Sequence, residues 1–217
     1  MSKTIIAPSI LSANFADMGG EVKSLSAIGA DWVHLDVMDG MFVPNITFGF
    51  KMIKDIRPLS KLFFDAHLMI AQPKRYVKRF VESGADLVSF HYEAEDDIDG
   101  TLDIIKSTGC KCGLAVNPDT DVEVIKPYLS KLDLILVMTV FPGFGGQKFI
   151  DGSLDRIAKA KALRDEYAPN AVIEVDGGVN ADNALDIAKA GADVLVAGNA
   201  VFGASDRTAA IKRLRGE

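Results

Sequence analysis

With 217 residues, 48% of them hydrophobic and 25% charged, the chain is long enough to bury a sizeable core and is expected to form a single domain over residues 1–217. Its formal charge of −6 excludes nucleic acid as an expected partner, because that binding depends on Lys and Arg neutralising phosphates, whereas small anions can be held by backbone N–H groups alone. The uncharged stretches around 134–147 and 194–205 fall short of the roughly 18 residues that cross a bilayer, and "MSKTIIAPSILSANFADM" lacks the pattern of a secretory signal, so no membrane partner and a cytoplasmic location are expected.

The first apolar run, "TIIAPSI" at 4–10, predicts a strand and is followed by a helical pattern over 17–28. "WVHLDV" then precedes a helix over 47–57, "LFFDAHLM" one over 74–83, and "LVSFH" one over 98–107. "KCGLAV" precedes 121–130, "LILVMTV" 153–167, "VIEVDG" 181–190 and "VLVAG" 205–215. Strands apolar on both faces, each returned by a helix, imply a parallel sheet. The segments "IGADWV", "SGADLV" and "AGADVL" repeat a glycine (Gly29, Gly84, Gly191) at a helix end just before a strand, at intervals close to two and four units of about 27 residues. Eight even units make the fold class α/β, a closed (β/α)8 TIM barrel, in preference to an open doubly wound sheet. Cys110 and Cys112 stand one residue apart, too close for an ordinary disulfide and without zinc-site spacing, which suits reduced thiols in a cytoplasm.

In a barrel of this kind chemistry sits at the C-terminal ends of the strands. Side chains alternate faces along a strand, so His34, Asp36 and Met38 share one side, as do Asp65, His67 and Met69, and Glu174 and Asp176. Any one of these polar residues alone is more often a hydrogen-bonded buried group than a ligand. Together, His34, Asp36, His67 and Asp176 offer two imidazoles and two carboxylates, a set suited to one divalent ion such as Zn, Fe, Mn or Co. His91 ends its strand without acidic company and is expected only to line the pocket. "PGFGGQ", "DGG" and "AGN" place glycines after strands 6, 7 and 8, where backbone N–H groups can approach a phosphate. Met38, Met69 and Met138 near strand ends read as core filling or as an apolar cover over the site.

Over residues 7–202 the sequence resembles the ribulose-phosphate 3-epimerase family, through "HLDVMDGMFVPN" at 34–45, "DAHLM" at 65–69, "MTVFPGFGGQ" at 138–147 and "EVDGGV" at 174–179. The resemblance implies a barrel of the ribulose-phosphate-binding type that interconverts D-ribulose 5-phosphate and D-xylulose 5-phosphate by inversion at C3. It implies His34, Asp36, His67 and Asp176 as metal ligands, with Asp36 and Asp176 also the acid/base pair. Ser9, His67 and Asp176 are implied as substrate contacts. The phosphate is implied to rest on Gly143, Phe144, Gly145 and Gly146, on Gly177 and Gly178, and on Gly198 and Asn199, under a cap of Met38, Met69 and Met138. A homo-oligomer, dimer or hexamer, is also implied. The chain departs from the family at Phe141, where a polar residue is frequent, at Asn199, where Ser is usual, and at Asn14, which replaces a common Asp.

Inverting a carbon beside a ketone removes a proton on one face and returns one on the other, so two carboxylates from well-separated strands answer the need. An epimerase for a six-carbon ketose phosphate such as allulose 6-phosphate would use the same groups. A decarboxylating lyase would share the glycine loops, but its Asp-x-Lys-x-x-Asp pattern does not stand at "DAHLM". A barrel that only binds sugar phosphates would have no use for both histidines and both aspartates.

Overall fold

The computed structural model describes residues 3–217. Eight strands form one all-parallel sheet: β1 (Ile5–Ala7), β2 (Trp32–Met38), β3 (Phe63–Met69), β4 (Leu87–His91), β5 (Lys111–Val116), β6 (Leu134–Met138), β7 (Val172–Asp176) and β8 (Val194–Val196). From β2 to β8 each strand pairs with its neighbours in sequence, and β8 pairs with β1, which makes a nearly closed (β/α)8 barrel as the run lengths predict. The remaining seam, between β1 and β2, is held by Asp31 N–H to the Ile6 carbonyl at 3.0 Å, His34 N–H to the Pro8 carbonyl at 3.1 Å, and a single bridge from Ser9 to His34.

Around the sheet lie α1 (Met18–Ala27), α2 (Phe50–Ile56), α3 (Val77–Glu82), α4 (Ile98–Ser107), α5 (Ser153–Tyr167), α6 (Ala184–Ala190), α7 (Asn199–Phe202) and α8 (Arg207–Arg215). Aspartates begin several of them: Asp17, Asp97 and Asp206 accept hydrogen bonds from the backbone N–H of Gly20, Gly100 and Ala209. In α4, Ile98, Leu102 and Ile105 recur at helical spacing and are buried, each worth roughly 1.5–3 kcal/mol against an exposed state.

Three expectations change. Residues 122–131 form a 3-10 helix rather than an α-helix, because Pro127 inside it has no N–H for an i to i−4 bond. The 74–83 helix splits into a 3-10 turn at 73–75 and α3, after Gln72 enters at a left-handed φ of 52°. The first strand stops at Ala7, and Ser9 caps a 3-10 turn over Ile10–Ser12. The short α7 has no counterpart in the sequence pattern.

The repeated Gly-Ala-Asp has a mechanical explanation. Gly29, Gly84 and Gly191 take φ values of 90°, 109° and 126°, which end a helix and turn the chain toward the sheet. The aspartate that follows then reaches the neighbouring strand. Asp31 accepts from Ile6 N–H at 2.9 Å, Asp86 from Phe64 N–H at 2.7 Å and Asp193 from Ile173 N–H at 2.9 Å. Arg215, Arg57 and Arg164 close on these same carboxylates at 2.6, 2.9 and 2.9 Å. The register of the strands is thereby tied down at the end of the barrel opposite the site.

Strand alternation divides the core in two. Val33, Leu35 and Val37 of β2, with Phe64, Ala66 and Leu68 of β3, join the large apolar cluster between sheet and helices. The inner positions change character along the axis. Trp32, Phe63, Leu87, Leu134 and Val172 fill the lower end, and polar residues take over toward the C-terminal ends. Register aligns these layers, pairing His34 with Asp65, Asp36 with His67 and Met38 with Met69.

Candidate active site

At the C-terminal mouth lies a cavity of about 330 Å³, lined by Ser9, Asp36, Met38, Met69, Met138 and Asp176 together with the three glycine loops. Gly143, Phe144, Gly145, Gly146, Gly177, Gly178, Gly198 and Asn199 all reach its wall. The loops meet closely at several of these glycines. A Cβ on Gly178 would stand 2.3 Å from the Phe149 backbone N, one on Gly198 2.5 Å from Ser12 Oγ, and one on Gly146 2.6 Å from Asn199 Nδ2.

His34, Asp36, His67 and Asp176 converge on the cavity floor. One ligating atom from each lies within 4.8 Å of the others. Asp36 Oδ1 stands 3.2 Å from His34 Nε2 and 3.2 Å from His67 Nδ1, and Asp176 Oδ2 is 3.7 Å from the same His67 nitrogen. Asp36 Oδ2 accepts a hydrogen bond from the Ser9 hydroxyl. Beneath them, His34 Nδ1 meets Asp65 Oδ2 at 2.6 Å and Glu174 Oε1 at 3.5 Å.

The environment separates the protonation states of these groups. Burial acts to raise the Asp36 carboxyl, but the His34 and His67 imidazoles overcome it and hold Asp36 well below the usual carboxylate range. Burial pushes Asp176 up to about 7, and the charge on Asp36 adds to the rise. Burial disfavours the charged form of His34, yet Asp36 and Asp65 hold it well above an ordinary imidazole. Burial pushes His67 down to about 4, with His91 adding to the fall against the pull of Asp36. Glu174 is raised far above a normal glutamate by burial and by Asp65.

The donor set fits a divalent cation. Asp65 Oδ1 and both Glu174 oxygens are buried without a hydrogen-bond partner, and among the described residues no Lys or Arg is ion-paired to Asp36, Asp65, Glu174 or Asp176. The floor is therefore rich in acid and short of fixed positive charge, the condition under which a bound metal lowers the cost of burial.

One sequence expectation needs correction. His91 does not line the cavity; it is fully buried behind His67, with the two Nε2 atoms 2.8 Å apart, because its strand packs directly beside β3. His67 is itself fully buried, with the carboxylates of Asp36 and Asp176 on its Nδ1 side and His91 on its Nε2 side. The sequence reading also passed over several supports. Thr47 Oγ1 donates to the Asp36 carbonyl at 2.7 Å, and Thr139 Oγ1 lies 3.0 Å from the Asp176 carbonyl and 2.6 Å from that of Gly177. Asn45 Nδ2 donates to the Gly143 carbonyl at 2.8 Å, tying the loop after β2 to the loop after β6. Phe141 is 53% exposed and contributes its carbonyl, not its ring, to this region through Gln147 Nε2 at 2.7 Å.

Comparison with known proteins identifies the family of the chain. The family model described as "Ribulose-phosphate 3 epimerase family" matches residues 5–202. A ribulose-phosphate 3-epimerase of Bacillus subtilis (strain 168) is 50% identical over 212 residues, covering 97% of this chain and 98% of that protein. A chloroplastic ribulose-5-phosphate-3-epimerase of Arabidopsis thaliana is 47% identical over 216 residues, 99% of this chain and 77% of that one. Among solved structures, KGPDC from Streptococcus mutans superposes with a TM-score of 0.73 at 12% identity, covering 99% of this chain and 97% of that one, and 3-hexulose-6-phosphate synthase with 0.66 at 21%, covering 99% and 98%. These two likenesses show the shared barrel. With half of its residues shared with one full-length relative and its motifs assembled on one cavity floor, the chain belongs to the ribulose-phosphate 3-epimerase family.

Proposed function

We propose that the chain, acting as one domain over residues 1–217, interconverts D-ribulose 5-phosphate and D-xylulose 5-phosphate by moving a proton at C3 between Asp36 and Asp176. The observation that carries this reading is a pair of carboxylates from β2 and β7, Asp36 and Asp176, that line one cavity and close on the same His67 Nδ1 at 3.2 and 3.7 Å. In one direction Asp36 takes the C3 proton and Asp176 returns one; in the reverse direction the roles exchange. Asp36 Oδ1 faces the imidazoles, so Oδ2, positioned by Ser9, is the oxygen that takes the proton. Asp176 turns Oδ2 toward His67, which leaves Oδ1 for transfer.

His34, Asp36, His67 and Asp176 would hold one divalent ion, Zn, Fe, Mn or Co, which when bound supplies Lewis-acid stabilisation to the negative oxygens of an enediolate. Met38, Met69 and Met138, each no more than 4% exposed, wall the reacting carbon off from water. The glycines of the three loops form the cradle for the substrate phosphate, and a Cβ would collide at Gly146, Gly177, Gly178 and Gly198. The free thiols of Cys110 and Cys112 suit a cytoplasmic location. A dimer or hexamer belongs to the same reading, supported by Met41 and Ile46, 80% and 75% exposed on the loop that Asn45 ties to the loop bearing exposed Phe144.

Exchange of the C3 hydrogen in deuterated solvent tests the proposal. Deuterium enters C3 as the two pentulose phosphates equilibrate; equilibration without exchange, or no equilibration by folded, metal-loaded protein, would overturn it. A parallel assay with a six-carbon ketose phosphate measures the width of the specificity.

A further inference from the structure

Behind His67 runs a line of buried hydrogen-bonding groups that the reaction itself does not use. His67 Nδ1 faces Asp36 and Asp176, and its Nε2 lies 2.8 Å from His91 Nε2. His91 Nδ1 lies 3.4 Å from Glu93 Oε2. Both histidines are fully buried, and the Phe42 ring packs against His91 at 4.9 Å between centroids, so no water replaces these partners. The Glu93 side chain is 22% exposed and its other oxygen, Oε1, is occupied, accepting from Asn117 N–H at 2.9 Å and from the Thr120 hydroxyl.

Proton counting along this line has one solution when a cation occupies the floor. A nitrogen that gives its lone pair to a metal carries no proton, so His67 keeps its proton on Nε2. That proton can only be donated to His91 Nε2, which must then be bare, and His91 carries its own proton on Nδ1. Only an acceptor satisfies that last group, and Glu93 is an acceptor with no proton to offer.

We propose that Glu93 is a positioning residue of the metal centre: through His91 it fixes the tautomer of His67 so that Nδ1 is presented bare to a divalent cation. His34 obtains the same service directly, with Asp65 2.6 Å from its Nδ1 and its Nε2 toward the site. On β3 the carboxylate is one imidazole further away. This inference rests on the metal reading given under Proposed function.

Glu93→Gln is the informative substitution because it keeps size and reverses polarity. Asn117 N–H and the Thr120 hydroxyl demand an oxygen at Oε1, so the new amide turns its NH₂ toward His91 Nδ1. His91 must then accept there and carry its proton on Nε2, pointing it at the proton of His67. Zn²⁺ is the probe, being diamagnetic. Competition against a chelator measures its affinity, and ¹⁵N spectra of the histidine rings in the Zn²⁺-loaded full chain report which nitrogens are protonated. In the unmutated protein His91 is expected protonated on Nδ1 and His67 on Nε2, and E93Q is expected to bind Zn²⁺ about 10–100-fold more weakly. His91 protonated on Nε2 in the Zn²⁺-loaded unmutated protein, or equal Zn²⁺ affinity in a folded E93Q, would overturn the relay alone. Failure of the unmutated chain to bind Zn²⁺, Mn²⁺, Co²⁺ or Fe²⁺ would overturn the metal reading and the relay with it.

Discussion

Gly178 offers the sharpest test of how the phosphate cradle is built. Its φ is +67°, in the left-handed region, where a Cβ costs about 1–2 kcal/mol from local sterics. That Cβ would also stand 2.3 Å from Phe149 N and 2.7 Å from Phe149 Cα, both fixed backbone atoms of the segment after β6. Ordinary contact begins near 3.4 Å, so Gly178→Ala must part the two loops by about 1 Å. Misplacement on that scale costs on the order of 100-fold in productive positioning. Gly152→Ala supplies the control: its φ is +83°, but nothing lies within 4 Å of the added atom, so it carries the local strain without the push. G152A should lose about 1–2 kcal/mol in urea unfolding, and G178A more, because the clash adds to the strain. Only G178A should show the fall of about 100-fold in kcat/KM for D-ribulose 5-phosphate and a matching weakening of inhibition by inorganic phosphate. If folded G178A keeps kcat/KM within about threefold of the unmutated enzyme, the loops do not grip the substrate as the geometry requires.

Asp36→Asn and Asp176→Asn should each reduce turnover by at least about 10²-fold while circular dichroism stays that of the parent; undiminished turnover in either would remove it from proton transfer. Chelation should abolish activity and a divalent salt restore it. Because Asp176 sits at about 7 and His34 above an ordinary imidazole without metal, binding must expel a proton from each, so metal affinity should rise with pH through 7 and beyond, and a flat profile would show that neither group is a ligand. Burial raises Glu174, so the metal-free folded protein keeps a proton that the unfolded chain loses above 4.5. That difference costs stability as pH rises, by about 1.4 kcal/mol per unit, until the folded group itself ionises. Glu174→Gln in the presence of chelator should therefore gain on the parent from pH 6 to pH 8 in urea unfolding, and parallel curves would mean that Glu174 is ionised in the fold.

What the sequence disclosed follows from how local each signal is. Alternation along a strand needs only neighbours two residues apart, which is why His34 with Asp36, and Asp65 with His67, were readable as facing one side. The partners of those residues depend on register between strands, which no single segment encodes. Asp65 lies opposite His34, and His91 lies behind His67, only because β2, β3 and β4 are offset as they are. The same limit hid Glu93, two residues from His91 in sequence but meaningful only once His91 is known to touch His67. Backbone chemistry was legible where it was absolute, as with the glycines of the three loops. It was missed where one residue overrode a good helical pattern, as Pro127 does within 122–131.

The thin joint between β1 and β2 has a consequence for how this enzyme wears. A hoop gives way at its least-stitched place, and here that place runs alongside the base, with Ser9 on one lip and Asp36 beyond the other. Partial opening would carry the serine hydroxyl off while the surrounding helices stay folded, so inactivation should precede global melting. Amide exchange at Asp31 and His34, whose N–H groups stitch the gap, should be faster than at the midpoints of β3 to β7. An added cross-link there should lengthen working life without touching the chemistry.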